Sequence, residues 1–115
     1  MLKEIFITTQ NRYQLVDITE RIEEILKKEK IEKGILVIFV PHSTAGIVLT
    51  ENESGLKKDW LAILEKMVMG IDFFHNQIDD NADSHLLSGL IGQSKTLLIE
   101  NGKILLGIWQ QIFLA

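Results

Sequence analysis

The run Gly-Ile-Leu-Val-Ile-Phe-Val at residues 34–40 constrains this chain most strongly. It is apolar without alternation and is followed by Pro41, the only proline in 115 residues. A strand with one solvated face alternates apolar and polar residues, whereas a strand covered on both faces does not. The run is also far shorter than the roughly 20 residues that a membrane-spanning helix needs. The sequence therefore predicts a strand buried on both faces and no membrane partner.

Helical and strand-like patterns follow one another irregularly along the rest of the chain. Two apolar stripes at helical spacing predict helices, one from Ile18 to Leu26 and one from Leu56 to Met67. Asn101-Gly102, between two β-rich segments, is the strongest short signal for a hairpin. Further strands are predicted at 3–9, 13–16, 45–51, 95–100 and 103–110, with a loop at 70–83 and a short helix at about 81–90. This order is α+β, because it lacks regular βαβ alternation.

Composition excludes several classes of protein. Hydrophobic residues make up 46% of the chain, which is typical of a domain folded around a core. The absence of cysteine excludes disulfides, thiolate metal sites and a cysteine nucleophile. A net charge of −4 argues against a broad basic surface for nucleic acid. Since the first residues also lack a signal peptide's apolar stretch, we expect a cytoplasmic protein that binds neither nucleic acid nor membrane.

The three histidines, His42, His75 and His85, are the main candidates for chemistry. His42 follows the predicted buried strand, and His75 and His85 bracket the acidic stretch 79–83. On a helix, Asn81 and His85 share one face. Three neutral imidazoles, or two with a carboxylate, can hold a divalent metal ion with one position open. The alternative is that Asn81 or Asp80 caps the helix and the histidines bond backbone groups or lie on the surface.

Other candidates come in three short segments. The backbone amides of the turn at Ser43 and Thr44 can hold a phosphate, although an ordinary loop has the same composition. Glu51 can act as a general base or orient a metal ligand, or it is a solvated carboxylate. Trp109 and Gln110 can stack on a flat ring and hydrogen-bond it, whereas tryptophan in a strand more often lies in a core or an interface.

Four blocks occur together along the chain: His42-Ser43-Thr44-Ala45-Gly46, Thr50-Glu51-Asn52, Asp80-Asn81-Ala82-Asp83-Ser84-His85-Leu86, and Leu105 to Gln110 followed by Ile112-Phe113-Leu114. In that order they resemble the YjbQ-like family (UPF0047), also called secondary thiamine-phosphate synthase. The resemblance runs over nearly the whole chain. The blocks Asn-Ala-Asp-Ser-His and Gly-x-Trp-Gln are its most specific parts.

The resemblance implies an α+β fold of two packed, mainly antiparallel sheets with about seven strands and three outer helices. It also implies a homotrimer and an enzyme that joins a pyrimidine diphosphate to a thiazole phosphate, both small phosphorylated molecules. A divalent metal, zinc or magnesium, would bind at His42, His75 and His85. The implied catalytic residues are His42, Glu51 and Asp83, and the implied substrate-binding residues are Ser43, Thr44, Asn52, Asn81, Trp109 and Gln110.

Three departures from the family pattern accompany the resemblance. Thr50 stands where the family usually has Asn, and Gln111 replaces a Gly. The family continues past Phe-Leu into a basic last strand with an arginine suited to phosphate, so we expect residues 1–115 to form one YjbQ-like domain without that strand. The alternative function is a non-catalytic, trimeric ligand-binding or assembly protein.

Overall fold

Two antiparallel three-stranded sheets frame the chain, whose residues 1–115 are all described by the computed structural model. The first sheet has the order β1 (Val16–Asp17), β6 (Gln110–Leu114), β3 (Ile47–Glu51), and the second has β2 (Gly34–Phe39), β4 (Ser94–Glu100), β5 (Lys103–Ile104). The helices are α1 (Thr19–Lys28), α2 (Ser54–Val68) and α3 (Ala82–Ile91). The predicted α+β class with three helices is confirmed, with six strands rather than about seven. None of the helices has both the length and the apolar composition needed to cross a membrane.

The core lies where α1 packs against both sheets. Its buried members come from both sheets and from α1: Ile18, directly before α1, and Ile22 and Leu26 within it; Val40, directly after β2, and Ile99 in β4; and Ile47 and Ile112 in the first sheet. The predicted helical stripe at Ile18, Ile22 and Leu26 is therefore confirmed. Ile112 and Phe113 are 0% exposed, because β6 is the central strand of the first sheet.

Strand β2 forms as predicted, but the chain covers only one of its faces. Leu36 and Ile38 are half-buried against the core, whereas Ile35, Val37 and Phe39 are 71%, 61% and 63% exposed. The core packs against one face of this sheet only, so the side chains of Ile35, Val37 and Phe39, which point to the opposite face, remain exposed. The prediction of a strand covered on both faces is therefore wrong for one chain taken alone.

The predicted strand at residues 3–9 is also wrong. The segment places Ile5 and Ile7 half-buried against the core, but none of its backbone groups bonds another strand. One main-chain contact anchors it, a hydrogen bond from Arg21 Nη1 to the carbonyl oxygen of Phe6 at 2.6 Å. β-branched residues favour a strand only where a neighbouring strand completes the ladder, and here none does.

The Asn101-Gly102 hairpin is confirmed, with a shorter second strand than predicted. Asn101 and Gly102 have φ of 53° and 75°, the left-handed pair that a tight two-residue turn requires. The predicted strand at 103–110 stops after Ile104. A further turn closed by the Gln110 N–H bonded to the Gly107 carbonyl at 2.9 Å then leads into β6.

Candidate functional site

His75 and His85 meet at the beginning of α3. A short 3₁₀ helix at Phe74–Gln77 brings His75 back to the helix, and the two imidazole centroids are 4.9 Å apart at an interplanar angle of 78°. His75 Nε2 lies 3.1 Å from Asn81 Oδ1. An amide oxygen only accepts, so this bond places the proton of a neutral His75 on Nε2 and leaves a lone pair on Nδ1. The structure thus brings together three residues that the sequence singled out.

The first turn of α3 is capped by a residue that the sequence reading missed. Asn76 Oδ1 accepts a hydrogen bond from the Ala82 N–H at 3.1 Å, and Asn81 makes no side-chain cap bond to the helix. Asn81 therefore occupies the N-cap position of α3 without capping it through its side chain, which is available to orient His75. Helix starts leave several N–H groups without partners, and any nearby amide oxygen can fill the role.

Asp83 lies in an ion pair rather than facing open space. Arg12 contacts it with two nitrogens, Nε to Oδ2 at 3.1 Å and Nη2 to Oδ1 at 2.7 Å, and the Tyr13 hydroxyl donates to Oδ2. The hydrogen bonds from Arg12 are the main cause that lowers the pKa of Asp83 to about 2, while burial raises the pKa of Tyr13. Asp83 is therefore ionised at neutral pH and carries no proton to donate. Nothing local in the sequence pointed to Arg12 as its partner.

His42 is exposed at the end of β2 and does not join the histidine pair. No group of three histidine, aspartate or glutamate side chains lies close enough together to hold a metal ion. Catalytic zinc sites have three protein ligands and one open position. Within one chain, His75 and His85 are in contact but His42 lies elsewhere. The three predicted ligands therefore do not form a metal site within a single chain.

The turn after His42 packs against α3. Ser88 Oγ donates a hydrogen bond to the Ala45 carbonyl, which ties the turn to the helix that carries His85. Thr44 lines a small cavity of about 40 Å³ together with Arg12 and Ser84. Ser43 is exposed at the rim of the same turn. The hydroxyl-rich turn and Arg12 therefore line the same cavity. The cavity has room for only a few water molecules.

The other predicted site residues gather at one end of the first sheet. Glu51 at the end of β3 is opposite Gln110 at the beginning of β6. Asn52 Nδ2 donates to Asp17 Oδ2 at 2.9 Å, and Trp109 is exposed beside Gln110. None of these residues makes a hydrogen bond to His75 or His85. These residues form a second polar group, which shares no hydrogen bond with the histidine pair.

An apolar cavity of about 350 Å³ lies beside His85. Its walls come from the end of α2, the segment that follows it and α3, and include Met67, Ile71, Leu86 and Leu90. This volume falls in the lower part of the range of small-molecule sites, which are apolar with a few polar groups. His85 therefore lines an open apolar cavity, and its imidazole also contacts that of His75.

Comparison with known proteins identifies one family. The family described as UPF0047 protein YjbQ-like matches residues 3–115. A UPF0047 protein of Methanothermobacter thermautotrophicus is 43% identical over 114 residues, which covers 98% of this chain and 80% of that protein. UPF0047 protein YugU of Bacillus subtilis is 34% identical, covering 98% of this chain and 86% of that protein. The crystal structure of a YbjQ-like protein of unknown function from Sulfolobus solfataricus gives a TM-score of 0.92 at 41% identity, covering 96% of this chain and 80% of that one.

Proposed function

Because the chain belongs to the YjbQ-like UPF0047 family, we propose that it is a metal-assisted enzyme acting on a small phosphorylated substrate. The reaction resembles that of secondary thiamine-phosphate synthase. A pyrimidine diphosphate is joined to a thiazole phosphate, and pyrophosphate leaves. The observation that carries the proposal is the contact of His75 with His85, oriented by Asn81.

The histidine pair suits proton transfer near neutral pH. Imidazole is the side chain whose ordinary pKa lies closest to neutrality, so it serves as donor or acceptor in the same site. Asn81 fixes one nitrogen of His75 as a donor and leaves Nδ1 as the acceptor. A divalent ion, when bound, would neutralise the charge of the diphosphate leaving group. Imidazole ligands favour zinc over magnesium, which prefers oxygen.

The apolar cavity beside His85 supports a substrate with a flat ring. Its walls are mainly apolar side chains, which can contact the faces of a ring, and His85 is the one polar side chain that can hydrogen-bond a ring nitrogen. The ring would lie against Leu86 and Met67, with its reacting substituent towards the histidines. The exposed Trp109 is the alternative stacking surface, at the separate polar group.

The test is metal content together with turnover. Purified protein should hold about one divalent ion per chain and release it on acidification, because imidazole must be neutral to bind metal. With both phosphorylated substrates, it should release pyrophosphate. His85→Ala should abolish both while the far-ultraviolet circular dichroism stays unchanged. Protein without bound metal and without turnover would contradict this function.

The second candidate is a non-catalytic homotrimer that binds a ligand or serves assembly. It is favoured by the uncovered face of the second sheet, where Ile35 is opposite the exposed Leu98 and Val37 is opposite Thr96. Soluble proteins rarely expose such a contiguous apolar surface unless a partner covers it. Both candidates include self-association in the cytoplasm. Sedimentation at micromolar concentration tests it, and turnover separates the two.

A further inference from the structure

The turn that joins β2 to β3, residues 41–46, is held at both ends by the segment that follows α3. Before the turn, the Val40 N–H donates to the Gln93 carbonyl at 2.9 Å. After it, the Ile47 N–H donates to the Gly92 carbonyl at 2.9 Å. Val40 and Ile47 are both buried, so these two bonds are shielded from exchange with water. Two consecutive carbonyl groups therefore fix the beginning and the end of the turn.

A close approach of Gly46 to the end of α3 restricts the turn further. Gly46 is buried, and a Cβ atom added to it would lie 2.8 Å from Ile91 Cγ2 and 2.9 Å from the Gly92 carbonyl oxygen. Only a residue without a Cβ atom allows this contact. The backbone of the turn therefore has no room to move towards the helix.

Two side chains hold the turn from the helix side. Gln93 Nε2 donates to Ser88 Oγ at 2.8 Å, and Ser88 Oγ donates to the Ala45 carbonyl. A hydroxyl group has a single proton, so the bond accepted from Gln93 leaves that proton directed to Ala45. Ser88 is 3% exposed, and a hydrogen bond lost at that depth is not replaced by water.

The tip of the turn, by contrast, is exposed and polar. His42, Ser43 and Thr44 all lie at the surface, and their N–H groups bond no backbone carbonyl of the chain. Successive backbone N–H groups of a turn can bind an anion such as phosphate. An exposed tip on a fixed base loses little conformational freedom when a ligand binds, which favours affinity.

We propose that Ser88 and Gln93 are positioning residues, which hold the turn in the conformation that binds the phosphoryl group of the substrate. The inference rests on the proposed function and adds what fixes its phosphate-binding turn. Neither side chain touches the ligand. Gln93 directs the proton of Ser88, and Ser88 fixes the carbonyl of Ala45, the residue that follows the exposed tip.

Reversing one hydrogen bond tests the positioning role with little change in packing. In Gln93→Glu the side chain keeps its size, but its carboxylate accepts the Ser88 proton and takes it away from Ala45. Gln93→Met removes the donor and leaves the Ser88 hydroxyl able to bond Ala45. The probe is inorganic pyrophosphate, measured by titration calorimetry. Binding should be about fivefold weaker in Gln93→Glu and in Ser88→Ala, the effect of one lost hydrogen bond, and nearly unchanged in Gln93→Met.

The order of the turn is a second measurement, and it needs no ligand. The heteronuclear NMR NOE of the Ser43 and Thr44 amides should fall in Gln93→Glu and Ser88→Ala and keep its wild-type value in Gln93→Met. Ile104→Ala is the control for lost stability, because Ile104 is half-buried at the end of the second sheet far from Gln93. It should lower the melting temperature without changing pyrophosphate binding or the amide signals.

The possible results separate the two proposals. Wild-type protein that binds no pyrophosphate would overturn the proposed function, and the amide signals would still decide the positioning role. A turn that stays ordered in Gln93→Glu and Ser88→Ala, or equal losses of binding in Gln93→Glu and Gln93→Met, would overturn the positioning role alone. Should Ser88→Ala fail to fold, the two variants at the half-buried Gln93 decide the question.

Discussion

Arg12 and Asp83, 71 residues apart in the chain, form a two-pronged ion pair at 3.1 Å and 2.7 Å. The pair fastens the segment before β1 to the first turn of α3. Arg12 Nη2 also donates to the Asp80 carbonyl at 2.8 Å, so one guanidinium holds both sides of the turn. The helix start that carries His85 is therefore positioned from outside its own segment.

Arg12→Gln is expected to lower the melting temperature and to loosen the His75–His85 contact. It leaves the half-buried carboxylate of Asp83 without its cation. The measurement is thermal unfolding together with the imidazole NMR signals of both histidines. Arg21→Gln is the matched control, since Arg21, the only other arginine, bonds only the Phe6 carbonyl. Equal shifts of the histidine signals in both variants would contradict the positioning role.

Asp83→Asn is expected to cost about 1–2 kcal/mol, in the range of charge-assisted hydrogen bonds partly screened by solvent. The amide keeps the shape but accepts only one of the two bonds from Arg12. Urea unfolding at neutral pH measures the difference. A variant as stable as the parent would show that the ion pair contributes nothing measurable.

Stability should fall in acid through the titration of Asp83. Its pKa in the folded chain is about 2, against an ordinary value of 3.8. A carboxyl with a lowered folded pKa contributes stability above its unfolded pKa, and the contribution is lost as pH falls from about 4 to about 2. Unfolding followed between pH 5 and pH 2 should show a shallower loss in Asp83→Asn than in the parent. Parallel curves would exclude Asp83 as a source of the acid sensitivity.

Ile112→Ala should destabilise the fold strongly, by about 3 kcal/mol, because the side chain is fully buried in the central strand of the first sheet. Ile108→Ala is the control at an exposed isoleucine and should change the free energy of unfolding by less than about 0.5 kcal/mol. Denaturant unfolding of the two proteins measures both values. Similar costs at the two positions would contradict the assigned core.

Local chemistry made much of this fold predictable. The stripe from Ile18 to Leu26 has helical spacing, and Asn101-Gly102 tolerates the positive φ of its turn, so both elements follow from the residues themselves. The meeting of His75 with His85 was also within reach, because a loop that returns to a helix start places its flanking residues side by side.

Long-range relationships were not predictable. The pairing of Arg12 with Asp83 depends on how the segment before β1 crosses α3, which no local pattern encodes. The apolar run of β2 indicates that both faces avoid water, but composition does not tell whether the cover comes from the same chain or from another. For the same reason the spacing of the histidines did not reveal that His42 stands apart.

Strand β6 is the only neighbour of both β1 and β3. During synthesis these two strands emerge long before residues 110–114, and until those residues leave the ribosome the first sheet has no ladder at all. Until then the edges of β1 and β3 remain unpaired, and unpaired strand edges can pair with those of other nascent chains. Formation of the first sheet therefore depends on the synthesis of β6, and the vulnerability of the chain to aggregation should be greatest just before β6 emerges.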